Sequence, residues 1–510
     1  MDFVSLLTET IKTFGLFVFN LITWQNMLFL FGSMVVGITF GVLPGLSATV
    51  GIAMFTGLTY AMQLETALIV LMGVYIGAIY GGSISAILIN IPGTGSAAAT
   101  CLDGYPLAMK GESGNANTVA RVASVIGTLF GMIIFLFFTP IMTKLALQFT
   151  SPEFFWLAVF GILICGAISA PGLVIKGWIA GFIGILMAMV GMEDLQGWER
   201  LTFGIRDLIT GIPFVPMTIA FFGVPQIVKI MKQGETTISP AGKDIKKALP
   251  LASLIKENFI RILRWGFIGV GIGAVPGVGE NIAAWVAYGD AKRTCKNGKD
   301  FGTGVYEGVM APETANNAAI GGAIIPLISL GIPGSPPAAM LLGALMLHGI
   351  RPGPMLSVEH PAIIPQLGAI ILWGTIYLFV IGIVITKLMV SVLKVSQKIL
   401  IPIIAVLCVI GVYSYNLNSF HLALVFVCGI LGYLLDKMNY SSAPLILGLI
   451  LGNMADAFFR RALYISHGNI FSLINRPLSF IFFLACVLTI AKQFPIGEKV
   501  VNLFTKRKNN

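Results

Sequence analysis

Gly37-Ile38-Thr39-Phe40-Gly41-Val42-Leu43-Pro44-Gly45-Leu46-Ser47 is answered in the other half of the chain by Gly269-Val270-Gly271-Ile272-Gly273-Ala274-Val275-Pro276-Gly277-Val278-Gly279. Two glycines and a Pro-Gly pair recur at the same spacing, each inside an apolar run. A second pair follows each of these in the same order. The first reads Gly81-Gly82, an apolar stretch, then Ile91-Pro92-Gly93 and the small residues Thr94 to Ala99. The second reads Gly321-Gly322, a stretch one residue longer, then Ile332-Pro333-Gly334 and Ser335 to Ala339. A single Pro-Gly is a common kink, whereas an ordered double recurrence points to duplicated architecture.

The runs around these motifs are membrane-like. The chain has 510 residues, of which 56% are hydrophobic and 11% charged, and its mean hydropathy is +0.91. So few charges cannot give a soluble protein of this length its polar skin. Residues 122–143 and 363–386 carry no charge, and 154–192 carries only Lys176; about 20 apolar residues suffice to cross ~30 Å of hydrocarbon. The expected fold is an all-α polytopic membrane protein of about 10 to 12 spans, with Pro-Gly-broken or re-entrant helical hairpins. Its two related halves are expected to be inverted repeats, because the helix into Pro276 follows a basic segment and the helix into Pro44 does not. The corresponding division is 1–230 for the first half, 231–258 for a basic cytoplasmic loop, 259–400 for the second half, and 401–510 for further transmembrane helices and a basic tail.

The net charge of +10 does not point to nucleic acid. It gathers in short polar segments between apolar ones: Lys229 to Arg264, Lys292 to Lys299, and Lys506-Arg507-Lys508. Such loops are retained on the cytoplasmic side. The N-terminus, Met-Asp-Phe, lacks a basic leader region, so the first span is expected to act as an uncleaved anchor. Six scattered cysteines show no CxxC spacing, and no HExxH, GxSxG or GxxxxGK[ST] occurs. No enzyme, no cofactor and no metal beyond Na⁺ is expected.

Proline removes a backbone donor and glycine permits unusual backbone, so each pair frees helix-terminal N–H and C=O groups. In hydrocarbon those groups survive only inside protein or beside a wet cavity. Half-helix N-termini suit carboxylates and freed carbonyls suit Na⁺, the arrangement that secondary transporters use near the bilayer midplane. The expected anion site is therefore Pro44, Gly45, Ser47, Asn90, Pro92, Gly93, Thr94 and Ser96 in the first half, with Pro276, Gly277, Asn317, Pro333, Gly334 and Ser335 in the second. Thr49, Thr100 and Glu280 are further polar residues at the breaks. Glu313, Asn316 and Asn281 are the expected ion-coupling residues, since an intramembrane carboxylate beside amides can ligate Na⁺ or carry a proton. Asp103 and Asp456 are the next acids to consider. A channel or facilitator for small anions would also use broken helices.

The same motifs resemble the large membrane subunit of the tripartite tricarboxylate transporters, the TctA type. The matching segments are Pro44-Gly45-Leu46-Ser47, Tyr80-Gly81-Gly82-Ser83, Ile91-Pro92-Gly93, Asp103-Gly104-Tyr105-Pro106, and Ala311-Pro312-Glu313 with Asn316-Asn317. They continue through Leu330-Gly331-Ile332-Pro333-Gly334 and His348-Gly349-Ile350-Arg351-Pro352-Gly353-Pro354, and the likeness spans about residues 20 to 480. The resemblance implies the translocating subunit of an Na⁺- or H⁺-driven importer of di- and tricarboxylates in the bacterial inner membrane. It also implies a small membrane subunit of about four spans and a periplasmic solute-binding protein as partners. The sequence departs from the family pattern at His421, where an acid is expected, at Asp456, where Glu is usual, and at Gly95, where Pro is frequent.

Overall fold

A computed structural model describes residues 3–43, 46–169, 173–193, 195–233, 249–392, 397–414 and 417–493. Pro44 and Gly45 of the expected site, Lys243 to Lys247 of the basic loop and the Lys506–Lys508 tail lie outside the described residues. The helices in chain order are α1 (Phe3–Asn20), α2 (Trp24–Val42), α3 (Ala48–Thr59), α4 (Leu64–Ile89), α5 (Ala98–Met109), α6 (Ser113–Ala146), α7 (Ser151–Ser169) and α8 (Val174–Ala188). Next come α9 (Phe214–Thr218), a π turn (Ile219–Gly223), α10 (Val224–Gln233), α11 (Leu251–Gly273), α12 (Gly279–Thr294), α13 (Glu307–Leu330) and α14 (Pro336–Leu347). The chain continues with α15 (Leu356–Glu359), α16 (Ile363–Val392), α17 (Gln397–Ser414), α18 (Ser419–Lys437), α19 (Ser442–Ile465) and α20 (Pro477–Ala491).

The protein is all-α and polytopic. Among the described residues seven helices are long and apolar enough to cross a bilayer: α2, α4, α6, α7, α16 over Ile363–Ile385, α18 and α19. Six shorter apolar stretches stand beside them, including α3 and α14, which begin directly after Pro-Gly pairs. The sole sheet among the described residues is a two-stranded antiparallel hairpin, Gly191–Met192 with Glu199–Arg200.

Contacts divide the chain into two compact units, Met1–Leu147 with Thr218–Gly429, and Gln148–Met217 with Ile430–Asn510. Both motif-bearing segments lie in the first. At its centre are α4 and α13, each buried around its whole circumference along nearly all its length, as a helix without a solvent-facing side is. Small residues let the neighbours close in. A β-carbon on Gly37 would stand 2.6 Å from the Val74 carbonyl oxygen of α4, and one on Gly41 would overlap the carbonyl of Ala78. Across the second motif, a β-carbon on Gly269 would overlap the Ala315 carbonyl of α13, and one on Gly273 would stand 2.6 Å from that of Ala319. Both recurring glycine pairs thus sit where two helix backbones meet. Association inside a membrane rests on such packing rather than on hydrophobicity.

The breaks are formed by helix-end chemistry as well as by proline. α4 ends in Asn90 and α13 in Gly331, both left-handed with φ of 57° and 73°. Gly331 N–H donates to the Leu327 carbonyl and Ile332 N–H to that of Pro326, satisfying the last turn of α13 before Pro333. Ser47 caps α3 by accepting from Val50 N–H at 3.3 Å, and Ser335 caps α14 by accepting from Ala338 N–H at 3.2 Å.

Asp103 ties α5 to the segment before α13. One carboxylate oxygen accepts from the backbone N–H groups of Gly302 (2.9 Å), Gly304 (2.8 Å) and Val305 (3.0 Å). The other accepts from the Tyr288 hydroxyl at 2.9 Å. Asp103 is fully buried, so Asp103→Ala strands three amides and a phenol. The expected loss is about 3–5 kcal/mol, read as a lowered thermal midpoint of the purified protein. Asp300→Ala, at an exposed position, should leave the midpoint unchanged; equal midpoints for both variants would refute the assignment.

In the second unit, α7, α8, α19 and α20 pack together. Its acids are paired. Asp456 accepts from Arg200 at 2.8 Å and Arg460 at 2.9 Å, and buried Glu153 meets Arg476 at 3.2 Å. A carboxylate held between two guanidinium groups has its charge balanced already, which is a structural use of Asp456.

Candidate functional site

The first unit holds a cavity of about 340 Å³. Four helix starts line it: Leu46 to Val50 opening α3, Pro92 to Ser96 ahead of α5, Glu280 and Asn281 opening α12, and Pro336 and Pro337 opening α14. Ile79 of α4 contributes, with Phe222 from the π turn and Gln226 of α10. The local sequence explains the convergence. Each Pro-Gly pair ends one helix and lets the next begin inside the bundle, so N-terminal N–H groups collect where hydrocarbon would otherwise forbid them.

The close approach of the two motif-bearing halves is visible atom by atom. A β-carbon on Gly95 would stand 3.0 Å from the Asn281 side-chain nitrogen. Within the second half, Gly277 N–H donates to the Pro333 carbonyl at 3.3 Å, and Gly334 N–H to that of Ala323 at 3.2 Å. Gly279, at φ +64°, faces Ser335, whose Cβ would lie 2.6 Å from an added β-carbon. That position needs glycine for its backbone and for the space.

Of the expected anion-site residues, Ser47, Pro92, Gly93, Thr94 and Ser96 line the cavity, and so does Asn281. Thr94 and Ser96 hydroxyls are hydrogen-bonded at 3.0 Å. Asn90 is exposed at the end of α4 and is not in the lining; its left-handed backbone makes it a helix terminator. Pro276, Gly277, Pro333, Gly334 and Ser335 are buried behind the wall and shape it through the contacts above. Asn317 is fully buried on α13, donating to Ser124 Oγ and to the Glu313 carbonyl, both at 2.9 Å.

Glu313 forms a second polar centre. It is fully buried and accepts from the Thr100 hydroxyl at 2.6 Å and the Ser124 hydroxyl at 3.2 Å. No ion pair to it occurs among the described residues. Asn316, one helical turn on, is also fully buried. Both of its side-chain polar atoms, and Oδ1 of Asn317, lack a hydrogen-bond partner among the described residues. Buried amides are rarely left so. Asn281, grouped with Glu313 from the sequence, instead stands exposed at the cavity beside Glu280.

Sequence reasoning missed Tyr75, Ser124, Phe222 and Gln226, and counted Glu280 only among the polar residues at the breaks. Glu280 is 3% exposed. The Tyr75 hydroxyl, on α4, donates to its Oε1 and also lies 2.9 Å from Ser335 Oγ. A lone tyrosine in an apolar helix needs a partner for its hydroxyl, and that is the clue available in the sequence.

An all-α membrane bundle with a cavity built from broken helix ends, sized for a small solute, has the architecture of a protein that moves solutes across a membrane. The chain matches the model of the Tripartite tricarboxylate transporter TctA family over residues 27–447. It belongs to that family, one whose members work in tripartite systems with partner subunits. Among curated proteins it is 36% identical over 483 residues, 94% of each chain, to an uncharacterized 52.8 kDa protein in the TAR-I ttuC' 3' region of Agrobacterium vitis. It is 38% identical over 208 residues to an uncharacterized protein in the TAR-II ttuC' 3' region of the same organism, covering 41% of this chain and 86% of that one. No solved structure matches.

Proposed function

We propose that the protein is the large permease subunit of an ion-coupled importer of di- and tricarboxylates in the bacterial inner membrane. In this reading it works with a small membrane subunit and a periplasmic solute-binding protein, and its two motif-bearing halves are inverted repeats. The observation that carries the proposal is the cavity at four helix starts. Its described lining contains no Lys, Arg or His, so attraction for an anion comes from N–H groups at the starts of α3, α5 and α12, Pro336 and Pro337 of α14 having none, with hydroxyls at Ser47, Thr49, Thr94 and Ser96 to complete hydrogen bonds. A volume of about 340 Å³ lies within the ~300–1,000 Å³ usual for small-molecule sites.

Ion coupling is assigned to Glu313 with Asn316. A carboxylate buried without a counter-ion is costly and is relieved by a proton or a cation. The amide oxygens of Asn316 and Asn317, with the Thr100 and Ser124 hydroxyls, are the hard oxygen donors that Na⁺ takes.

Uptake of labelled succinate, malate and citrate into proteoliposomes holding the complete complex tests the function. Accumulation should require an imposed Na⁺ or H⁺ gradient and the binding protein. Uptake indifferent to both gradients would end the coupling claim, and uptake of none of the three would end the substrate claim.

A further inference from the structure

Glu280 presents a problem for anion binding. It is the one acid among the described residues lining the cavity, it is nearly fully buried, and no basic side chain joins it there. A dianion entering the cavity would face a carboxylate across a few ångströms of poorly screened space, a repulsion of several kcal/mol in a site of low dielectric. The surrounding groups do not offset it with charge. α4 contributes the Tyr75 hydroxyl and Ile79. The α14 start contributes Ser335 behind the wall with Pro336 and Pro337, and the α3 start contributes Ser47 and Thr49. Thr94, Ser96, Phe222, Gln226 and Asn281 complete the set. Glu313, on the flanking α13, is absent from the lining and is held by Thr100 and Ser124.

We propose that Glu280 is a second coupling residue, which takes up one proton when the carboxylate substrate occupies the cavity and releases it when the substrate leaves. The inference rests on the anion-cavity reading given above and adds a proton site to it. The step is a simple protonation: water in the cavity delivers H⁺ to a Glu280 carboxylate oxygen, and the neutral acid later returns it to water on the other side. No bond to the substrate forms or breaks.

Tyr75 and Ser335 hold the acid in place for this. The Tyr75 hydroxyl donates to Glu280, Ser335 Oγ accepts from Ala338 N–H, and the Ser335 and Tyr75 hydroxyl oxygens lie 2.9 Å apart. The Tyr75 donor fixes one carboxylate oxygen and leaves the other to take the proton. Tyr75 and Ser335 are positioning residues here, and Glu280 is the group that meets the substrate.

The test uses the complete complex in proteoliposomes, with binding and counterflow of labelled succinate, malate and citrate measured from pH 6 to pH 8. In the wild type, affinity should rise as pH falls, by up to about tenfold per pH unit for a single linked proton. Glu280→Gln, a permanently neutral mimic of the protonated acid, should bind with a pH slope shallower than the wild type's by the one proton that residue 280 takes up. It should also accumulate less substrate under a pH gradient. Substrate protonation is identical for both proteins, so the difference between them belongs to residue 280. Glu280→Asp should retain the pH slope, which keeps the question decidable should the Gln variant fail to fold. A Gln variant as pH-sensitive as the wild type, or an Asp variant without pH dependence, overturns the proposal while leaving the transporter reading intact. Failure of the wild-type complex to take up any of the three acids removes that reading and this one together.

Discussion

Gly334→Ala and Gly93→Ala are expected to lose both stability and transport, whereas Gly271→Ala in the same bundle is expected to lose neither. A β-carbon on Gly334 would overlap the carbonyl oxygen of Gly273, and one on Gly93 that of Gly41. Each clash is with backbone, which cannot rotate aside as a side chain can. Insertion of one methyl into a filled site costs about 1–3 kcal/mol where neighbours adapt; here the top of that range or more is expected. A loss of that size lowers the thermal midpoint by roughly 3 °C or more. Transport should fall further than stability alone explains, because Gly93 lines the cavity and Gly334 positions the start of α14 beside it. Gly271 faces open space, with no atom within 4 Å of an added β-carbon. An alanine there should be neutral or gain up to about 1 kcal/mol from helix propensity. Midpoints measured on the three purified variants decide it: a Gly334→Ala protein as stable as Gly271→Ala would mean that the two broken segments do not approach as described.

The corresponding contacts of Gly93 and Gly334 also explain what the sequence could and could not reveal. The Pro-Gly pairs mark where helices stop, because proline and glycine act on the backbone whatever surrounds them. The recurring glycines mark where helices touch, because only a missing side chain admits a neighbouring backbone. Both effects are local, so they are legible in one dimension. The boundary between α1 and α2 is not: the largely apolar stretch 13–43 divides at Leu21–Thr23, where Thr23 caps α2 by accepting from Asn26 N–H at 3.2 Å. Asn20, Thr23, Gln25 and Asn26 are too few and too interspersed with apolar residues to fix where one helix stops and the next starts.

The candidate site shows the same division. Ser47, Thr94, Ser96 and Asn281 come directly after helix breaks and line the cavity, because a freshly started helix points its first residues at the space that the break opens. Ser335 also follows a break directly, yet it faces inward toward Tyr75, and Asn317, in the middle of α13, faces Glu313. Which way a residue faces depends on helical phase and on the torsions of the break, and neither follows from residue type. Phe222 and Gln226 arrive through a π turn at Ile219–Gly223. One extra residue per turn shifts the phase of everything after it, and such turns often accompany functional sites. The pairing of Tyr75 with Glu280 joins positions 205 residues apart, beyond the reach of any local pattern.

Asn316→Leu is expected to separate function from stability at the Glu313 centre. The amide of Asn316 is fully buried, and neither its oxygen nor its nitrogen has a hydrogen-bond partner among the described residues. A buried polar group left in that state costs about 1–3 kcal/mol. Leucine has the same number of side-chain heavy atoms and no polar ones, so the substitution should raise the thermal midpoint or leave it unchanged. Ion-driven uptake, in contrast, should fall by roughly ten- to a hundredfold, the usual consequence of removing a group that supports ion binding. Adding Glu313→Gln to Asn316→Leu should then cost little more, since two residues serving one ion fail together rather than additively. Unaltered uptake by Asn316→Leu would remove this amide from the coupling site. A fall in the midpoint as large as the fall in uptake would instead assign Asn316 to packing. A stabilised but inactive protein is the outcome that fits an amide held unsatisfied for the ion it receives.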